Sequence, residues 1–253
     1  IKLEGPDEIV VLYRIANRQV ERVRVFSEDC PLDAGGREVV WLTGVSPAES
    51  LALLESLVPP TPDRHDRVTD GAISAIALHR DAAADATLER LMAAGQHRSV
   101  REKIPFWLGN ARGASGLAAL QRIIRTDGSI NVRKKAAFGI SQSPETKGVD
   151  ILIDAARTST DASVRGEAIF WLAHKAGDRA AKAITERIEQ DPDTEVKKRA
   201  VFALSQLPKS EGVPLLIQVA RTHSNPAVKK QAMFWLGQSR DPRALDFFAE
   251  ILK

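Results

Sequence analysis

One cysteine, Cys30, is present in 253 residues. An internal disulfide is therefore excluded, and so is any metal site built from several thiolates. No run comes near the roughly 18 consecutive apolar residues that a membrane-spanning helix needs. The five histidines, His65, His79, His97, His174 and His223, share no common spacing, and none belongs to an HExxH pattern. Neither a glycine-rich phosphate loop nor a Gly-x-Ser-x-Gly nucleophile turn occurs. Net charge is small, +3, but uneven: residues 1–60 carry −4 and the remainder +7. That asymmetry permits an anionic partner for the later region without requiring one. With no catalytic constellation, the expectation is a non-enzyme without cofactor or metal.

What the sequence does have is a repeat. VREKIPFWLG from Val100, VRKKAAFGIS from Val132, VRGEAIFWLA from Val164, VKKRAVFALS from Val196 and VKKQAMFWLG from Val228 align at intervals of 32 residues without a gap. A fixed period of this length marks a solenoid, because a single unit cannot bury its apolar face and must stack on its neighbours. One step back, Val68, Ala72, Ile76 and Ala77 keep the offsets and make a sixth, divergent unit. Each first helix places Val, Ala or Ile, and Leu or Ile four residues apart on one stripe. Asp161, Asp193 and Asn225, three residues before the Val, are the expected N-caps. A second helix follows, its apolar set being Leu117, Leu120 and Ile124; Val149, Leu152 and Ala156; Val213, Leu216 and Ala220; and finally Leu245, Phe248 and Leu252. Pro105 falls inside a first helix and predicts a kink there.

The segment before the repeats reads differently. Ile9–Ile15 and Val20–Phe26 are β-branched or alternating and predict strands joined by a turn at residues 16–19, with a third short strand at Val39–Leu42. Ser46, Pro47 and Glu49 have the order of N-cap, first helical residue and capping-box acid, for a helix to about Val58. Pro59, Pro60 and Pro62 then form a stiff break. The expected division is a small β-rich module over 1–60, ending in a helix, and a repeat region over 63–253, mainly α with about six two-helix units.

The two-helix unit, with its Asp-x-x-Val-Arg opening, resembles the HEAT repeat, and most closely the HEAT-like subtype also found in phycobilisome lyases. CPLDAGGREVVWLTGVSPAES, from Cys30, is similar to N-terminal regions of some bacterial HEAT-repeat proteins of unknown function. The resemblance implies an α-solenoid and, for most members, a binding scaffold. It also implies that Arg101, Arg133, Arg165, Lys197 and Lys229, which follow each Val, pair with acidic caps between repeats. Deoxyhypusine hydroxylase, a HEAT-like enzyme, holds its metals with His-Glu dipeptides; here Arg80 follows His79 and Lys175 follows His174. The sequence begins at Ile1 and not Met. The expectation is an exported bacterial protein in which Cys30 pairs with an upstream cysteine or is a buried thiol.

Candidate surfaces follow from the repeats. Trp107, Trp171 and Trp235 recur at every second repeat, with Gly139 and Ala203 between them. Phe106, Phe138, Phe170, Phe202 and Phe234 precede them. The large–small alternation favours packing over an exposed stacking platform. Polar positions of the second helices give the candidate contacts: Gln121, Arg122, Arg125, Asp154, Arg157, Arg187, Gln218 and Arg221. The leading expectation is a scaffold that binds a protein or peptide with these residues on its concave face. The alternative is a nucleic-acid-binding solenoid that uses Lys134–Lys135, Lys197–Arg199 and Lys229–Lys230. A bilin lyase-like or metal-dependent enzyme ranks third.

Overall fold

The structure, a computed structural model, describes residues 8–61, 66–175 and 177–252. Pro62, His65 and residue 63, where the repeat region was expected to begin, lie outside them. Two strands come first, β1 (Ile9–Ala16) and β2 (Gln19–Ser27), followed by α1 (Pro47–Ser56). The repeat helices are α2 (Arg67–Leu78), α3 (Ala83–Leu91), α4 (Arg98–Arg101), α5 (Ile104–Ala111), α6 (Gly113–Thr126), α7 (Ile130–Gln142) and α8 (Gly148–Thr158). They continue with α9 (Ala162–Lys175), α10 (Asp178–Gln190), α11 (Thr194–Gln206), α12 (Lys209–Thr222), α13 (Pro226–Ser239) and α14 (Pro242–Ile251). No helix among the described residues is long and apolar enough to cross a membrane. The chain forms two compact units, Ile1–Gly116 and Leu117–Lys253.

In the first unit β1 and β2 pair antiparallel, Ile9 opposite Ser27 and Ala16 opposite Gln19. Asn17 and Arg18 form the two-residue loop, both at positive φ, 52° and 61°. That left-handed pair matches the twist of the flanking strands. Val39–Leu42 forms no strand. These four residues are exposed and lie between turns at Gly35–Gly36 and Gly44, all at positive φ. A run of four apolar residues has no alternation to seat it against a neighbouring strand. Ser46 caps α1 as expected: its hydroxyl accepts from the Glu49 N–H, and the Glu49 carboxylate accepts from the Ser46 N–H at 2.9 Å.

The hairpin packs on α2 through an unusually close approach. A Cβ built on Gly71 would lie under 3.0 Å from the carbonyl oxygen of Val23, itself buried. Only a glycine lets the helix backbone come so near the strand. Gly71→Ala is expected to destabilise the hairpin by about 1–3 kcal/mol, the usual overpacking range. Hydrogen exchange will show the loss as faster exchange in β1 and β2, with the amides of α13 unchanged.

Pro105 does more than kink its helix. The first helix of that repeat divides into α4 and α5, and Pro105 stands in the first turn of α5, where a missing N–H costs nothing. Arg112 closes the same region: its Nε donates to Asp85 at 2.6 Å, and Nη1 donates to the His79 carbonyl at 2.5 Å. The guanidinium thereby satisfies carbonyl oxygens at the end of α2.

The second unit repeats one arrangement. Val132, Val164, Val196 and Val228 are at most 2% exposed, as is Val100 in the first unit. Asp161, Asp193 and Asn225 cap α9, α11 and α13, each accepting from backbone N–H groups in the first turn of the helix. The second helix of one repeat packs closely on the first helix of the next: α8 on α9, α10 on α11, α12 on α13. Where the two helices of one repeat cross, small residues recur at the repeat interval: Gly116, Gly148, Ala180, Gly212 and Ala244. A Cβ on Gly212 would lie under 3.0 Å from the Leu204 carbonyl oxygen, and one on Gly116 equally close to that of Leu108.

Candidate protein-binding surface

The last turn of α6, α8 and α12 carries an arginine at one repeat position: Arg125, Arg157 and Arg221. The position suits a cation, because the carbonyl end of a helix is negative. Each arginine reaches forward to an acid on the next second helix. Arg125 pairs with Asp154 at 3.0 Å and Arg221 with Glu250 at 2.5 Å, while Arg157 pairs with Glu186. The offset falls three positions short of a full repeat, so the acid sits about one turn nearer the start of its own helix. Arg179 pairs with Asp150 over the same offset in the opposite sense. The remaining position in the series holds Glu189 in place of arginine and Gln218 in place of the acid, and both are exposed.

The structure brings five of the eight candidate residues into this file or beside it. Arg125, Asp154, Arg157 and Arg221 form its rungs, and Gln218 stands exposed at an acid position of the same series. Arg122 is exposed and Gln121 half-buried on α6. Arg187 departs from the expectation of an exposed contact, because it is buried. Its place in the repeat is the one that Ile123, Ala155 and Val219 fill, and all three are buried aliphatics. The guanidinium donates to Gln190 at 2.9 Å and to Glu186 at 3.3 Å, and its Nε has no partner. The acids Glu186 and Glu250 were not singled out from the sequence. Their signal is an offset from an arginine that is shorter than the repeat, which a search at the repeat interval passes over. Glu186 is held below its ordinary carboxylate pKa, chiefly by the hydrogen bond from Arg157.

Three of the basic residues that follow a Val, Arg133, Lys197 and Lys229, bond to backbone carbonyls. Arg133 donates to the Ile124 carbonyl at 2.8 Å, Lys197 to those of Ile188 and Glu189 at 2.8 and 2.6 Å, and Lys229 to that of Arg221 at 2.9 Å. They cap the carbonyl end of the preceding second helix. Of these equivalents in the second unit, Arg165 is the one that takes a carboxylate. Its Nε donates to Asp191 Oδ2 at 2.7 Å and its Nη2 to Oδ1 at 2.9 Å, with both residues buried. Lys134 pairs with Glu167 and Lys198 with Glu195. Lys134, Lys197, Lys198 and Lys229 thus bond within the chain, while Lys135, Arg199 and Lys230 are exposed.

The aromatic rows pack against each other, as the size alternation predicts. Trp171 leans on Phe138 of the preceding repeat at 4.7 Å between ring centroids, and Trp235 leans on Phe202 at 4.8 Å. Phe170 and Phe202 stack at 5.9 Å, and Phe234 meets Trp235 edge-on at 4.9 Å. The Trp171 indole N–H donates to Glu167 at 2.9 Å. The Trp235 N–H is buried without a partner, and its ring lines a cleft of about 200 Å³ with Leu204, Leu207, Val213 and Gln238. That volume falls short of a typical small-molecule pocket. Among the described residues, no three His, Cys, Asp or Glu side chains are grouped to hold a metal ion.

The family model for HEAT repeats matches residues 116–198 and 181–253, more than half of the chain. Among solved structures, human deoxyhypusine hydroxylase in complex with glycerol is similar at 16% identity, covering 80% of this chain and 89% of that one, with a TM-score of 0.37. The complex of CpcE and CpcF of phycocyanin lyase, from a Nostoc species, is 20% identical over 65% of this chain and 68% of that one, with a TM-score of 0.43. An engineered protein is 24% identical over 75% of this chain and 96% of its own, with a TM-score of 0.40. No curated protein matches in sequence. With its unbroken repeat register, its capped helix pairs and the match across its second unit, the chain belongs to the HEAT-repeat family.

Proposed function

We propose that this chain is an interaction scaffold whose second helices receive a protein or peptide partner. One observation carries the reading: Arg125–Asp154, Arg157–Glu186 and Arg221–Glu250 form a file of charges along second helices, and their arginines remain about half exposed. Exposed ion pairs are worth little to stability, about 0.2–1 kcal/mol each. They do hold long side chains in one geometry, and charges fixed beforehand favour specificity and rapid encounter. HEAT repeats commonly serve as protein-binding scaffolds, which supports the same reading.

The test exchanges charges within each rung: Arg125→Asp with Asp154→Arg, Arg157→Glu with Glu186→Arg, and Arg221→Glu with Glu250→Arg. Each rung keeps its ion pair while the pattern offered to a partner is inverted; at Glu186 the exchange also removes an acceptor of the buried Arg187. The expected cost in stability is small, about 0.3–1 kcal/mol for each acid moved to a helix C-terminus. Partners captured from the native host by the unaltered chain should be lost by the exchanged one. Capture that persists at full strength would place the binding surface elsewhere.

A further inference from the structure

The cleft beside Trp235 has a filled counterpart two repeats earlier, framed by α7, α8 and α9. There Ile140, Ser143, Gly148 and Trp171 take the places of Leu204, Leu207, Gly212 and Trp235. Lys175, at the end of α9, reaches into it. Its Cε comes within 3.1 Å of the position that a Cβ on Gly148 would take, and its ammonium donates to the Ser143 carbonyl. Ser143 is the C-cap of α7, so the lysine satisfies a helix end from the neighbouring repeat while its stem covers apolar wall. Two repeats on, Ser239 stands in the place of Lys175. Its hydroxyl turns back on its own chain, donating to the Leu236 carbonyl at 2.7 Å and accepting from the Asp241 N–H at 3.3 Å. Among the described residues the Leu207 carbonyl, equivalent to that of Ser143, accepts no hydrogen bond. The cleft is open although α11, α12 and α13, the helices that frame it, are all in place. What it lacks is one side chain.

We propose that this cleft receives a lysine side chain of the protein partner, held as Lys175 is held within the chain. Leu204, Val213, Leu216 and the Trp235 ring line it with apolar surface that suits the stem. Its volume of about 200 Å³ admits one long side chain and is too small for a cofactor. The Leu207 carbonyl then serves the ammonium as the Ser143 carbonyl serves that of Lys175. One charge stands against a cation: Lys209, exposed on the rim, replaces the Glu145 of the counterpart. Repulsion between exposed charges is weak and screened by salt. A charge-assisted hydrogen bond sheltered within the cleft is the stronger effect. The source of this lysine rests on the scaffold reading, whereas occupancy of the cleft needs no partner.

The full chain labelled with ¹⁵N at its 4 tryptophans gives one indole signal for each, and Trp235→Phe identifies that of Trp235. Nα-acetyl-lysinamide should move this signal saturably at millimolar concentration. Nα-acetyl-norleucinamide, which has the stem without the ammonium, should bind about tenfold more weakly, the loss of one charge-assisted hydrogen bond. Ser239→Lys should fill the cleft from within, abolish the response and raise the unfolding midpoint above that of Ser239→Ala. The alanine variant loses the same hydroxyl bonds and should still bind the probe. Lys209→Glu should tighten binding about twofold. A Trp235 signal that does not move up to the solubility limit of the probe overturns the proposal, and so does norleucinamide that binds as tightly as lysinamide. Exchanging the charges of the rungs should leave probe binding unchanged, whereas Ser239→Lys should weaken the capture of partners. Partners held at full strength by Ser239→Lys overturn the proposal and leave the scaffold reading standing.

Discussion

Asp191→Ala should destabilise the second unit by about 3–5 kcal/mol, the range for removing one member of a buried ion pair. Asp191 is 1% exposed, and Arg165, which donates to both of its carboxylate oxygens, is 8% exposed. Taking away the acid leaves a guanidinium out of water with its charge uncompensated. It also frees the N–H of Asp193, which donates to Asp191 at 2.9 Å. The effect will be read from urea unfolding followed by circular dichroism. Arg165→Met together with Asp191→Leu should recover most of the loss, since an apolar pair of similar volume avoids desolvating either charge.

The same pair predicts a pH dependence. Burial by itself would raise the Asp191 pKa, but the hydrogen bonds from Arg165 and from the Asp193 N–H outweigh it, and the folded-state value lies below the ordinary one. A depressed carboxylate pKa contributes stability that is fully present above the unfolded value, about 3.9, and is lost as pH falls through the folded value. Asp191→Asn should therefore flatten the acid limb of the stability curve below about pH 4. An unchanged acid limb in that variant would mean that other carboxylates carry it.

Gly212→Val should cost about 3 kcal/mol, at the upper end of the overpacking range. The glycine sits where α11 and α12 cross, and any Cβ there comes under 3.0 Å from the Leu204 carbonyl oxygen. That oxygen belongs to helix backbone and has no rotamer with which to yield. Gly212→Ala should fall between Val and wild type. Ala180→Gly is the control: Ala180 occupies the equivalent crossing with its methyl fully buried, so that change should cost only about 1 kcal/mol, the helix propensity difference. Thermal unfolding that ranks these three variants otherwise would show the crossing is not set by residue size.

Much of the architecture was legible because periodicity reports burial directly. Val132, Val164, Val196 and Val228 recur at the repeat interval and are all closed to solvent. Caps are short-range chemistry, so Ser46, Asp161, Asp193 and Asn225 could be read from their neighbours alone. The short strand at Val39–Leu42 was misread because β-propensity measures fit to a neighbouring strand, and none pairs with it among the described residues. Arg187 was misread because its charge was weighed ahead of its register. Aligned with Ile123, Ala155 and Val219, it occupies an inward position. The glycines and alanines at the helix crossings were visible at the repeat interval, but small residues carry no signal until a backbone is seen pressing against them.

By itself the amino-acid order determined the repeat length, the helix starts and the inward stripe, since each depends on residues within a few turns of one another. Which charges meet was left to the tertiary structure. The partner of Arg157 could be any of several acids until the stacking of α8 and α10 selected Glu186. The exposure of Leu245 was likewise decided there, because a residue that repeats an interior pattern is buried only when something stands against it. Local sequence sets what a side chain favours, and the neighbour supplied by the fold sets whether that preference is met.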